Sequence, residues 1–302
     1  MARVEGSWEV KAYDLIFGLG AGCSVSQSLR DAGLQFASYP LDWIAAPGIM
    51  QGVEAIERGF EGWFEREDLK LWDVRHEEGA VQRVYFNTRT RYGFAHEFTN
   101  SRPFDRFFDE VKAKYLRRAE RFMKALGEAK NALAIYHDLS TRLRIPDETL
   151  AEARRRLMAK FPGLGLDLLY VYEDPSAKEL ETVSDKDGVT VLRGHYAKFL
   201  DGRVMHTVDR SQLVRYIHEN FTIAGHDDIA GEKARYEAEQ KKLRKLHWGR
   251  GRVEQWVNRK LFKTYRRLQD YLIAQRLIPG DRPCWFEESD KVWPYGPVPE
   301  RG

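Results

Sequence analysis

The sequence has little cysteine and no long hydrophobic run. Its 302 residues include two cysteines, Cys23 and Cys284, with no Cys-x-x-Cys pair and no cysteine and histidine spacing typical of a zinc site. Nowhere do about 18 consecutive apolar residues occur, and Met1 to Lys11 contains no apolar run of signal-peptide length. We therefore expect a cytoplasmic protein in a reducing compartment, with no transmembrane segment, metal or cofactor.

The chain also lacks the composition of a disordered protein. It is 43% hydrophobic and 31% charged, and it is long enough to bury a core without disulfides or metals. The net charge is only +3, but the segment from Arg235 to Arg276 contains 13 Lys or Arg against 4 acidic residues. This basic stripe is either a solvated helix face or a surface for an anionic partner, such as nucleic acid, a membrane surface or a phosphorylated substrate.

Apolar runs that end at glycine or polar residues alternate with amphipathic runs along the chain. The predicted strands are 13–17, 132–136, 166–172 and 189–192, with a hairpin or two short strands within 80–98. The predicted helices are 24–32, 47–58, 104–126, 147–161 and 211–220, with one or two basic helices over 233–275. Gly33 should end the first helix, and Asp147 should cap the fourth.

This alternation favours an α/β fold with a mostly parallel, Rossmann-like sheet covered by helices. We expect an α/β core domain over residues 1–230. Residues 231–302 should form a basic helical extension and an irregular, proline-rich tail packed on the core. The oligomeric state is not predicted by any of these patterns.

The turn from Gly18 to Ser24 joins the first buried strand to the first helix. Such a turn gathers backbone N–H groups at a helix start, where negative charge is favoured. At this helix start Cys23 would have a lowered pKa and could act as a nucleophile. The alternative is that Cys23 is an ordinary buried cysteine. Alternatively the amides of Gly20 and Gly22, with Ser24 as N-cap or ligand contact, hold a phosphate or oxyanion. The glycines form only part of a dinucleotide fingerprint.

Polar residues follow two other predicted strands. His137, Asp138 and Ser140 come directly after the strand at 132–136, so in a parallel sheet they share an edge with Cys23 and are candidate substrate-binding residues. The alternative is a polar loop with a helix cap. His195 likewise follows a strand. The polar group at 226–228 is typical of a solvated turn, so we predict no metal there.

The first 45 residues carry a recognisable pattern. It consists of Leu15-Ile16-Phe17-Gly18-Leu19-Gly20-Ala21-Gly22-Cys23-Ser24, a helix ending in Gly33-Leu34, and then Tyr39-Pro40-Leu41-Asp42-Trp43-Ile44. The pattern resembles a bacterial family of unknown function described as papain-like cysteine peptidases, although Leu41 replaces the usual Phe. The segments 94–98 and 132–138 are weaker matches.

The resemblance implies a cysteine-dependent hydrolase or acyl transferase with Cys23 as nucleophile, His96 as general base, and Asp42 or Asp138 orienting the imidazole. Asp42 could equally cap the turn before Pro47. The resemblance also implies an association with surface polysaccharide. A second hypothesis is therefore a transferase or binding protein for a glycan precursor or nucleotide sugar, with the Gly18 to Ser24 turn as its anion site. A third is binding through the basic stripe.

Overall fold

The computed structural model describes residues 10–45, 48–77, 80–99, 103–138, 144–195, 198–200, 203–205 and 210–225. Within these residues the chain forms two compact units, a larger one from 10–63 and 113–225 and a smaller one from 64–112. The predicted basic stripe, tail and polar turn after residue 225 lie outside the described residues, as does Ser140.

The predicted helices and strands occur in the predicted order, together with further strands that the sequence did not predict. The strands are β1 (Lys11–Tyr13), β2 (Leu15–Gly18), β3 (Leu69–Glu77), β4 (Ala80–Asn87), β5 (Gly93–Thr99), β6 (Asn131–His137), β7 (Gly165–Glu173), β8 (Glu181–Lys186), β9 (Val189–Gly194), β10 (Lys198–Leu200), β11 (Arg203–Met205) and β12 (Phe221–Ile223). The helices are α1 (Ser24–Asp31), α2 (Ile49–Glu57), α3 (Phe104–Glu128), α4 (Asp147–Lys160) and α5 (Ser211–Asn220), with a short 3-10 helix at Pro40–Trp43.

The larger unit is built on a five-stranded sheet with the order β2-β6-β7-β9-β8. The first four strands are parallel neighbours, and β8 joins β9 in the antiparallel direction. The predicted α/β class and the mostly parallel sheet are therefore confirmed. This topology matters for function because the carboxyl ends of four parallel strands meet at one edge.

Helices cover both faces of this sheet. Alternate strand residues such as Ile16 and Leu133 share a buried cluster with residues of α1 and α5. Phe17 is one residue further along β2 and thus faces the other way, where its ring contacts Phe122 of α3 at 5.1 Å between centroids. Side chains on both faces of these strands are apolar, because both faces of the sheet are buried.

Two local predictions are corrected by the structure. The predicted strand at 13–17 is interrupted at Asp14, whose carboxylate accepts hydrogen bonds from the backbone N–H groups of Lys130 and Asn131 at 2.8 and 2.9 Å. Asp147 is the first residue of α4 and not its cap, because Pro146 occupies the N-cap position. Gly33, with a φ of 80°, follows the end of α1 as expected.

The smaller unit contains an antiparallel sheet with the order β3-β4-β5 and the start of α3. The predicted hairpin is confirmed as β4 and β5, whereas β3 was not predicted. Its core is aromatic: Phe64 contacts Phe94 and Phe108 at 4.8 and 5.6 Å, and Tyr85 stacks on Phe104 at 4.3 Å.

Candidate active site at the carboxyl edge of the parallel sheet

The glycine turn after β2 is held by its backbone. Gly20, Ala21 and Gly22 all have positive φ, of 101°, 68° and 131°, which explains two of the glycines in this turn. The N–H of the fully buried Leu19 donates to the carbonyl of Ile135 in β6 at 2.9 Å. The turn therefore presents the start of α1 at a fixed position on the sheet edge.

Cys23 occupies the N-cap position of α1 and is half-buried. Burial raises the pKa of its thiol, while its own backbone amide and the guanidinium of Arg210 act in the opposite direction. The sequence prediction of a lowered pKa was wrong, because desolvation outweighs the favourable helix start. Because Cys23 is the N-cap, Ser24 is not the N-cap but the first residue of α1. The thiol is protonated at neutral pH and needs a base before it can act as a nucleophile.

Ser24 makes a buried hydrogen bond to the end of the neighbouring strand. Its hydroxyl Oγ lies 2.7 Å from Nδ1 of His137, the last residue of β6. Burial lowers the pKa of His137 to about 3, and the positive charge of Arg210 contributes in the same direction. His137 is therefore a neutral imidazole at physiological pH. The predicted placement of His137 on the same sheet edge as Cys23 is confirmed.

Asp138 follows His137 at the same edge and is buried. Its backbone N–H donates to the carbonyl of Val171 at 2.8 Å, and its Oδ2 accepts a hydrogen bond from the hydroxyl of Tyr170 at 3.2 Å. Burial is the largest of the effects that raise the pKa of Tyr170, and the Asp138 charge adds to it. A role for Asp138 in substrate binding stays a prediction.

A pocket opens at this edge between the ends of β6 and β9. It is lined by His137, Val171, Leu180, Gly194, His195, Gln212 and Leu213. Within it, Nδ1 of His195 lies 2.6 Å from Oε1 of Glu173, the last residue of β7. Sequence reasoning missed Glu173. The available signal was a carboxylate directly after the apolar run of a predicted buried strand.

Asp42 is buried in the 3-10 helix at Pro40–Trp43. Its Oδ2 accepts hydrogen bonds from the backbone N–H of Tyr39 at 2.6 Å and from Nε2 of Gln35 at 2.9 Å. Burial raises the pKa of Asp42 to about 6, although the bond from Tyr39 and the charges of Arg118 and Arg30 act in the opposite direction. These contacts match the capping alternative that the sequence left open for this carboxylate.

His96 lies on β5 of the smaller unit and is exposed, whereas its neighbour Glu97 is buried. The two side chains face opposite sides of the strand, as expected for adjacent residues. Cys23 belongs to the larger unit, so the pairing of Cys23 with His96 stays a prediction.

Comparison with known families decides the classification of the chain. The family model described as "Putative papain-like cysteine peptidase (DUF1796)" matches residues 14–171, slightly more than half of the sequence. The chain belongs to this family. A search of curated proteins and a search of solved structures each found no match. The matched region includes the Cys23 turn and the strand that ends in His137. It stops before Glu173 and His195.

In the described part of the chain, no group of three or more histidine, cysteine or acidic side chains is placed to hold a metal ion. Of the helices described, none combines the length and apolar character that crossing a membrane requires.

Proposed function

We propose that this protein is a cysteine-dependent hydrolase or acyl transferase with Cys23 as its nucleophile. The observation that carries the proposal is the half-buried thiol of Cys23 at the start of α1, on the sheet edge that also holds the pocket. In the first step Sγ attacks an acyl carbonyl carbon. The leaving group departs with the proton that the thiol loses, and a thioester remains on the enzyme. Water or an acceptor then releases the acyl group.

A base is required because burial raises the pKa of the Cys23 thiol. We assign this role to His96, as the family resemblance implies, and the orientation of its imidazole to Asp42 or Asp138. The surface-polysaccharide association that the resemblance implies suggests a substrate class, namely acylated glycans.

The proposal is tested with p-nitrophenyl acetate, an activated ester, and intact-protein mass spectrometry. We expect one acetyl group on Cys23 in the wild-type chain and in the Cys284→Ala control, and none in the Cys23→Ala variant. His96→Asn should slow acetylation about 100-fold, the scale of a lost general base, whereas His218→Asn on the exposed side of α5 should not. Acetylation that persists in Cys23→Ala would contradict the proposal.

The pH dependence of Cys23 alkylation provides a second prediction. Because burial raises the pKa of this thiol, its reaction with iodoacetamide should still accelerate above the pH range of an ordinary cysteine, about 8.5. Arg210→Gln should move the profile further toward high pH, since the guanidinium lowers this pKa. Arg215→Gln, an exposed position on the same helix, is the matched control. Half-maximal reactivity below about pH 7 would refute the expectation.

A second candidate function is binding of an anionic glycan precursor by the Gly18 to Ser24 turn. The observation that favours it is the guanidinium of Arg210, which lies 3.3 Å from Oδ2 of Asp31 in α1 and adds positive charge near both Cys23 and His137. Calorimetric titration with uridine diphosphate distinguishes this anion-binding function from the cysteine-dependent function. An anion site predicts that Cys23→Ala binds the diphosphate as the wild-type chain does, while Arg210→Gln loses binding.

A further inference from the structure

The pair formed by Glu173 and His195 is the second acid-base feature of the sheet edge. Glu173 ends β7 and His195 directly follows β9, and the parallel register places Glu173 opposite Gly194. The distance between Nδ1 of His195 and Oε1 of Glu173 is 2.6 Å. The carboxylate side chain is 1% exposed, whereas the imidazole is 46% exposed. A buried acid thus holds a histidine that solvent and ligands can reach.

This arrangement suits proton transfer. A carboxylate that accepts a hydrogen bond from Nδ1–H fixes the imidazole tautomer, so that Nε2 is the nitrogen that accepts a proton. His195 lines the pocket together with Gln212 and His137. The His195 imidazole is therefore placed to act on a molecule that the pocket holds.

The strand order sets what His195 can reach. Cys23 follows β2 and His195 follows β9, and three strand spacings separate these ends, about 14 Å. That separation is too large for His195 to take the proton of the resting thiol directly. The pocket begins at His137, whose Nδ1 bonds Ser24 next to Cys23, and ends at His195. A water molecule in the pocket therefore lies on the side of His195 toward Cys23.

We propose that His195 is the general base that releases the acyl group from Cys23, with Glu173 as its positioning residue; this rests on the proposed function of Cys23. Nε2 of His195 takes a proton from a pocket-bound water while the water oxygen attacks the thioester carbonyl carbon. The new C–O bond forms and the C–S bond breaks, with the electron pair leaving on Sγ. Nε2 releases its proton to bulk water and the thiolate takes one up from bulk water, so the products are a carboxylic acid and free Cys23.

The test separates acylation from deacylation. The full chain is acetylated with p-nitrophenyl acetate, excess ester is removed, and loss of the acetyl group from Cys23 is followed by mass spectrometry. We expect His195→Gln to acetylate at the wild-type rate and to lose acetate about 100-fold more slowly. Glu173→Gln should slow the release about tenfold with acetylation unchanged, because the positioning but not the base is lost.

Two controls keep the result specific. His218→Gln, which changes an exposed histidine of α5, should release acetate at the wild-type rate. Free imidazole should restore release in His195→Ala, which a purely structural role would not produce. If acetyl-Cys23 forms in His195→Gln and is released normally, the assignment of His195 is wrong while the nucleophile stands. If the wild-type chain is never acetylated at Cys23, the proposed function fails and this inference fails with it.

Discussion

Acidification from about pH 7 to about pH 4 is expected to destabilise the larger unit by about 3 kcal/mol through His137 alone. The imidazole of His137 is 1% exposed, and burial lowers its pKa to about 3 from an ordinary value of 6.5. The cause is the cost of placing an imidazolium among buried strand ends, with Arg210 adding a like charge.

The direction of the effect follows from proton uptake. Below about pH 6.5 the unfolded chain binds a proton at His137 that the folded chain does not bind, so acid favours unfolding. The stabilising contribution of the neutral imidazole is complete above about pH 6.5 and is lost progressively toward about pH 3. Asp42 acts in the opposite sense, because its pKa is raised to about 6 and protonation between about pH 6 and pH 4 stabilises the fold.

Urea unfolding at the two pH values measures the effect of His137 when the wild-type chain is compared with His137→Asn. Asparagine keeps a polar group near the position of Nδ1, within reach of the Ser24 hydroxyl, and cannot gain charge. The wild-type chain should lose about 3 kcal/mol more than the variant on acidification. Equal losses in the two chains would show that His137 is not held neutral by burial.

Much of the fold could be predicted from local patterns. The strands β6, β7 and β9 are short apolar runs with turn residues on both sides, and periodicity alone locates them. The strand β1 could not be found this way, because Lys11 to Tyr13 forms a strand only through its parallel pairing with β12, more than 200 residues away. Long-range pairing leaves no local signal in three residues.

The sequence was sufficient to predict which residues of the site lie at the same edge of the sheet. Knowing that residues after parallel strands meet at one edge is enough to bring His137 near Cys23. The hydrogen bond between Glu173 and His195 depends on the register of β7 against β9, which the sequence does not specify. The raised pKa of Cys23 depends on tertiary burial, so the local argument from the helix start led to the wrong direction.

Replacing Gly52 by alanine is expected to cost about 3 kcal/mol of stability and to impair acetylation of Cys23. Gly52 lies in α2, and a Cβ at this position would stand 2.4 Å from the carbonyl oxygen of Leu19 and 3.3 Å from its carbonyl carbon. Neither partner can yield easily, since Leu19 is fully buried and its N–H is bonded to Ile135 of β6. The clash therefore displaces either α2 or the turn that carries Cys23.

Gly127→Ala is the matched control, because Gly127 is also helical and a Cβ there would meet nothing within 4 Å. That substitution should stabilise α3 by up to about 1 kcal/mol through helix propensity. Urea unfolding of both variants, with the rate of Cys23 acetylation by p-nitrophenyl acetate, distinguishes close packing from a general effect of removing glycine. If Gly52→Ala unfolds and reacts as the wild-type chain does, α2 does not fix the turn. If only Gly52→Ala loses stability and acetylation rate, the contact between α2 and the Leu19 backbone fixes the position of the Cys23 thiol.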